Sequence, residues 1–175
     1  MRTNRGLVVS LSVAASACTV ASAKVDVTDL CVPYNGVQIK SVAPGTTTLD
    51  HQFTYDKLGA LQSLAASIED LTFVSIDGHA ASGVPDLSFI QAAHVTVGTG
   101  NPNSSLPTVD AYDCDGDCVP DGSSLSVPAA LQQSAIAYIE SGSVLVDLEL
   151  DGDLPTQDWT VDIDLCFRGE AGYSL

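Results

Sequence analysis

"SVLVDLELDGD", residues 143–153, decides how this chain folds. Val144, Val146, Leu148 and Leu150 alternate with Leu145, Asp147, Glu149 and Asp151. A period of two is the pleat of a β-strand, whereas a helix needs apolar residues three and four apart. The next stretch, "DWTVDIDLCFRGEAGYSL" (158–175), repeats the pattern. Trp159, Val161, Ile163, Leu165 and Phe167 fall on one parity, Thr160, Asp162 and Asp164 on the other. Strands with one apolar and one carboxylate side are expected of an antiparallel sheet with one wet face. If these two strands pair as a hairpin, Asp147, Glu149, Asp151, Asp153, Asp162 and Asp164 share one outer face.

Upstream, the same period recurs. Short β-type runs at 25–32 and 37–42 flank a Pro/Asn/Gly turn. In "TLDHQFTY" (48–55), Leu49, His51, Phe53 and Tyr55 oppose Asp50, Gln52 and Thr54. "LTFVSIDGH" (71–79) alternates, and "LSFIQAAHVTVG" (87–98) places Leu87, Phe89, Gln91, Ala93, Val95 and Val97 together. Two segments break the period. Leu58, Leu61, Leu64, Ala65 and Ile68 fit a helical stripe. Within 126–142, Pro128 suits a first turn, Leu131, Ala135, Tyr138 and Ile139 form a stripe, and Gly142 suits a stop. Residues 99–128, rich in Gly, Pro, Asn, Ser and Asp, form the longest expected loop. The fold expected is mainly β: an antiparallel β-sandwich, immunoglobulin-like or jelly-roll-like, with one or two short helices. The Cys…Trp…Cys spacing of a true immunoglobulin domain is missing.

The N-terminus has the pattern of an export signal. Arg2 and Arg5 precede an apolar stretch from Leu7 to about Val20 that is short for a bilayer span. Cleavage after Ala21-Ser22-Ala23 makes 1–23 a signal peptide and 24–175 a single domain. Ala15-Ser16-Ala17-Cys18 resembles a lipobox, so the alternative is a signal of 1–17 with Cys18 lipidated. Expected locations are the cell envelope, as an outer-membrane lipoprotein, or the secreted space.

The chain has 22 acidic residues against 6 Lys and Arg. From Lys24 onward four cations (Lys24, Lys40, Lys57, Arg168) face all 22 acids, a net of −18. Phosphate contacts need clustered cations, so nucleic acid is a poor partner. Anionic membrane is disfavoured too, except through a lipid on Cys18. With Cys18 set aside, Cys31, Cys114, Cys118 and Cys166 suggest two disulfides. Cys31–Cys166 would tie the first strand to the last. Cys114–Cys118 would close a very short loop. Against the first pair, Cys166 shares parity with Asp162 and Asp164 and so belongs to the wet side.

"DCDGDCVPDG" (113–122) places Asp113, Asp115, Asp117 and Asp121 at positions 1, 3, 5 and 9. Calcium takes six to eight hard oxygens, and alternate carboxylates on a turning backbone can converge on one ion. The plainer reading is a Cys114–Cys118 disulfide holding a solvated acidic turn; the two are compatible. His51 shares the apolar parity, while His79 and His94 sit on polar parities and, with Asp77, suggest a weak surface metal site. No nucleophile elbow, phosphate loop or dinucleotide fingerprint is present.

The stretch 113–122 resembles one unit of the thrombospondin type 3 calcium repeat, keeping the acids and "VPD". It has Cys118 where that repeat has glycine, Ser124 where an EF-hand has its bidentate acid, and no tandem copy. The chain as a whole is similar to a group of bacterial exported β-sandwich proteins, often lipoproteins. "KVDVTDLCVPYNGVQI" (24–39), "DLSFIQAAHVTV" (86–97) and the ending 153–175 carry the likeness. It implies export and a sandwich, and no chemistry. The function expected is a non-enzymatic structural or adhesive protein of the envelope or exterior, stiffened by calcium at 113–121. One alternative is a binding module that presents 99–128 to a protein or glycan. Another is a hydrolase with paired carboxylates.

Overall fold

The computed structural model describes residues 22–56, 58, 59, 62, 68–115, 118, 120–130 and 134–174. Among the described residues, eight strands and one helix follow in order: β1 (Ser22–Ile39), β2 (Thr48–Tyr55), β3 (Ile68–Ser82), β4 (Ile90–Thr99), β5 (Val109–Asp115), β6 (Ser124–Pro128), α1 (Ile136–Glu140), β7 (Val144–Gly152) and β8 (Trp159–Ser174). They form two four-stranded antiparallel sheets, β1-β8-β3-β6 and β2-β7-β4-β5, here the first and second sheet. The pairs β1–β8, β2–β7, β3–β6 and β4–β5 are nested, as if one long hairpin had been rolled up. That is jelly-roll order, and it decides against the immunoglobulin-like alternative, whose sheets join other strands.

The alternation seen in the sequence becomes the core. Val144, Val146, Leu148 and Leu150 of the second sheet face Trp159, Val161, Ile163, Leu165 and Phe167 of the first, all buried. Trp159 meets Phe89 edge-on at 5.3 Å, and Phe73 packs among Tyr112, Tyr138 and Phe167. Among the described residues no polar or charged residue is counted with this core. A small apolar cavity of about 40 Å³ remains between Gly78, Ala93, Leu125, Trp159 and their neighbours.

Several sequence expectations are corrected. β7 and β8 are not a hairpin. At Gly152 (φ +155) a Cβ would run into the Phe89 carbonyl, so only glycine lets β7 leave its sheet there. Leu154, buried, anchors the crossing. Asp147, Glu149 and Asp151 therefore lie on one face of the molecule and Asp162 and Asp164 on the opposite one. The runs 25–32 and 37–42 are mostly one strand that bulges between Tyr34 and Val37, where Gly36 has φ +74, and ends at Ile39. A second irregularity, between Ile90 and Ala92, sends Ile90 inward and leaves Gln91 exposed.

Residues 99–128 are not one loop, because they contain β5 and β6. Pro128 ends β6 and does not start a helix; α1 is only Ile136–Glu140, and Gly142 (φ +87) stops it, its N–H donating to Ile139 O at 3.1 Å. Of the expected first helix, Gln62 N–H donates to Leu58 O at 2.8 Å, one helical turn, while Ile68 belongs to β3. Leu61, Leu64, Ala65 and Leu131 lie outside the described residues.

Candidate functional site

The polar side chains of the second sheet line up in three rows across β2, β7, β4 and β5. The middle row is Asp50, Glu149, His94 and Asp113. Beside it run Thr48, Asp151, Ala92, Asp115 and, on the other side, Gln52, Asp147, Thr96, Asp110. β2, β7 and β4 contribute every second residue, so the alternation that fills the core also builds this face. A register shift between Val95 and Thr96 lets β5 contribute Asp110, Asp113 and Asp115. Seven carboxylates surround one imidazole. His94 Nε2 lies 3.4 Å from Asp110 Oδ1, and its Nδ1 lies 3.6 Å from Asp113 Oδ1. Thr48 Oγ1 donates to Asp151 at 2.5 Å and Gln52 Nε2 to Asp147 at 3.3 Å. Asp50 and Glu149 are exposed and stand directly opposite each other in the β2–β7 ladder. Two shallow hollows open beside His94. Asp50, Thr96, Asp147 and Glu149 border one; Asp113, Asp115, Glu149 and Asp151 border the other, over the small side chain of Ala92.

The predicted calcium residues are thus divided. Asp113 and Asp115 are strand residues on this acidic face, whereas Cys114 between them points into the core and is bonded to Cys118. Asp121 belongs to the turn before β6, in the first sheet: its N–H donates to Ser124 O and its carbonyl accepts from Ser124 N–H. The next two carbonyls, of Gly122 and Ser123, accept from Leu87 and Ala80. Asp113, Asp115 and Asp121 do not bring ligand atoms within 4.8 Å of one another. Asp117 and the lipidation candidate Cys18 lie outside the described residues. Asp113 and Asp115 border a shared hollow with Glu149 and Asp151, although no three of these four bring ligand atoms within 4.8 Å of one another either. The strand order was needed to find this set.

The first sheet carries the other acids. Cys31 and Cys166 are bonded directly across the β1–β8 ladder, Cα atoms 4.0 Å apart. Cys166 is on the outer parity, as its neighbours implied, yet is 4% exposed. Asp77 lies beside its sulfur, Oδ2 at 3.3 Å. Cys31, Asp77 and Cys166 are close enough for a metal, but the two sulfurs are bonded to each other and offer no thiolate. Asp77 accepts from Ser126 Oγ and, at 3.3 Å, from Ser75 Oγ. His79 Nδ1 is 2.9 Å from Ser124 Oγ, and its Nε2 is 3.7 Å from Asp164. That serine–histidine–aspartate order lies on an open pleated face beside the edge strand β6. His79 and His94 are on opposite faces of the sandwich, so the metal site suggested for them with Asp77 is not formed.

Titration follows burial. Desolvation lowers the His51 pKa, with Asp147 pulling partly the other way. Burial raises Tyr55 to about 12, its hydroxyl donating to Pro33 O at 3.2 Å. At the sandwich end Asp158 is held down at about 2, first by the hydrogen bond from Lys40 and next by Ser41 N–H.

No family model and no curated protein sequence matches this chain. Among solved structures, a chain from Desmodium yellow mottle tymovirus aligns over 100% of this chain and 98% of its own, at 11% identity and a TM-score of 0.25. At that score the likeness carries no argument about fold or function.

Proposed function

We propose that this protein is an exported module of the cell envelope or the extracellular space, structural or adhesive and non-enzymatic, that works through its outer faces and is stiffened there by calcium. The observation behind this reading is the grid of seven carboxylates on the second sheet, laid over a closed apolar core. Like charges opposite one another destabilise a sheet, so a fold that keeps them gains from a cation that bridges them. Four cysteines joined in two pairs fit an oxidising compartment. Calcium would be drawn to the hollow over Ala92 that Asp113, Asp115, Glu149 and Asp151 border, held there partly through water because no three of them bring ligand atoms within 4.8 Å of one another.

The test is calorimetric titration of calcium into the oxidised domain, residues 24–175. Asp115→Asn/Asp151→Asn should abolish saturable binding, and Asp117→Asn/Asp121→Asn should leave it. The reverse result would return the ion to the 113–121 turn. No binding at millimolar calcium would remove calcium from the proposal and leave a wet acidic face.

A further inference from the structure

Among the described residues nothing pairs with the outer edge of the second sheet. β2 is its terminal strand and pairs with β7 over eight consecutive residues without a register shift. Its sequence, "TLDHQFTY", has no proline, glycine or lysine. Soluble proteins blunt such edges with proline, with charged side chains, lysine above all, with bulges or with a covering element. Of these β2 has only the outward carboxylate of Asp50. The other edges of this molecule are blunted in these ways. β1 carries Pro33, Gly36 and two register shifts. β5 and β6 are tied to each other by the Tyr112–Ala129 bridge and by Ala130 N–H donating to Ala111 O at 2.9 Å.

The phase of the free edge can be fixed. Gly152 N–H donates to Thr47 O at 2.8 Å, so residues 47 and 152 form a hydrogen-bonded pair. Antiparallel ladders alternate, which turns the N–H and C=O groups of Asp50, Gln52 and Thr54 away from β7. The side chains along the edge differ by face. Outward lie Asp50, Gln52 and Thr54, exposed, with Asp147 and Glu149 one strand behind. Inward lie Leu49, His51 and Phe53, only half-buried, although Val146, Leu148 and Leu150 beside them on β7 are buried. Tyr34 stacks on Phe53 at 5.5 Å, and His51 stacks on it at 6.2 Å. The seam between β1 and β2 is thus an aromatic strip lacking one strand's worth of cover.

We propose that the β2 edge recruits an extended segment of another polypeptide, added as a fifth strand, in which basic and apolar residues alternate. Backbone groups of Asp50, Gln52 and Thr54 would supply the ladder, the mode in which a strand completes an open sheet. The alternation follows from the pleat: one parity of the incoming strand lies beside Asp50 and Glu149, the other beside His51, Phe53 and Tyr34. Charge selects the class of partner. A second copy would bring the same acids to the same face, in a chain of net charge −16; a Lys- or Arg-bearing strand neutralises them. The inference goes beyond the structural or adhesive reading, because the edge can take a strand whether or not calcium sits over Ala92.

The probe is a blocked octapeptide of alternating lysine and valine, with fluorescence anisotropy for affinity and hydrogen exchange for the Asp50, Gln52 and Thr54 amides. The control has four lysines followed by four valines. The alternating peptide should bind more tightly and slow exchange at those three amides. Gln52→Pro removes one outward N–H without touching the β2–β7 bonds, and should weaken binding about tenfold, the worth of one lost hydrogen bond. Asp50→Lys keeps the backbone and should weaken the lysine peptide while leaving the fold intact by melting temperature. Equal binding of both peptides would reduce the effect to general charge attraction and overturn the proposal. So would wild-type affinity in Gln52→Pro, or a dimer of the chain itself that the peptide cannot displace.

Discussion

On the outer face of the first sheet Asp77 and Asp162 have donors. Asp77 accepts from Ser75 and Ser126, and Asp162 accepts from Gly36 N–H at 2.7 Å; at the sandwich end Asp158 accepts from Lys40. On the outer face of the second, Asp50, Glu149 and Asp115 have none among the described residues, and His94 stands off Asp110 and Asp113 at 3.4 and 3.6 Å. Both faces come from the same alternation of apolar and acidic residues. Opposed acids occur on both, Asp77 with Asp164 and Asp70 with Glu170 on the first and Asp50 with Glu149 on the second. The difference lies in the donors, Ser75, Ser126 and Gly36 N–H on the first. A carboxylate with donors helps to hold its strands together; one without donors that faces another carboxylate pushes them apart. The donor-poor second face is the one the proposal assigns to a cation.

The largest effect that would test this division comes from the two disulfides. Cys31–Cys166 closes 135 residues and Cys114–Cys118 only 4. Loop-closure entropy puts their contributions at about 5 and about 2 kcal/mol respectively. Chemical denaturation of the two Cys→Ser double variants should rank them in that order. If the short bridge proves the more important, the acidic strand β5, not the β1–β8 ladder, is the stressed part of the fold.

Next come the acids themselves. Asp77→Ala removes the acceptor for two hydroxyls and should lower stability by about 1 kcal/mol. Asp50→Asn/Glu149→Gln removes an opposed like-charged pair. It should raise stability by about 0.5 kcal/mol at low salt, a gain that fades toward 1 M salt as the Debye length falls to about 3 Å. A loss from the second substitution would mean that those acids have partners, and the contrast between the faces would fail.

This contrast was half legible in the sequence. The parity of β7 and β8 gave the core residues and the wet acids directly, because burial on one face forces a period of two. Cys31 and Cys166 were a natural pair for the first and last strands. What was not legible was which strands become neighbours. A link of six residues between Gly152 and Trp159 suggests a hairpin, and nothing local says that Gly152 and Leu154 send the chain to the other sheet. Asp147 and Glu149 therefore seemed to belong with Asp162 and Asp164, when their real neighbours are Asp50, His94 and Asp113. The run of aspartates at 113–121 looked like one loop because its spacing suits an ion. A disulfide that turns Cys114 inward keeps the first two acids in strand β5 instead.

The smallest effects are in pH, and they separate the two sheets by window. His51, on the inner side of β2, has its pKa lowered by burial. A base harder to protonate when folded leaves the unfolded chain binding more protons below about pH 6.5, so stability falls as pH drops from that value toward the folded one. Asp158, beside Lys40 at the end of the first sheet, is held at about 2 against an ordinary 3.8. Its contribution is complete above about pH 4 and is lost as pH falls toward 2. Melting temperature against pH should show both declines. His51→Gln should remove only the one nearer neutrality, and Lys40→Met only the acidic one. A single decline abolished by either substitution would mean that the seam at β2 and the clip at Asp158 open together, and that the two sheets respond to acid as one body.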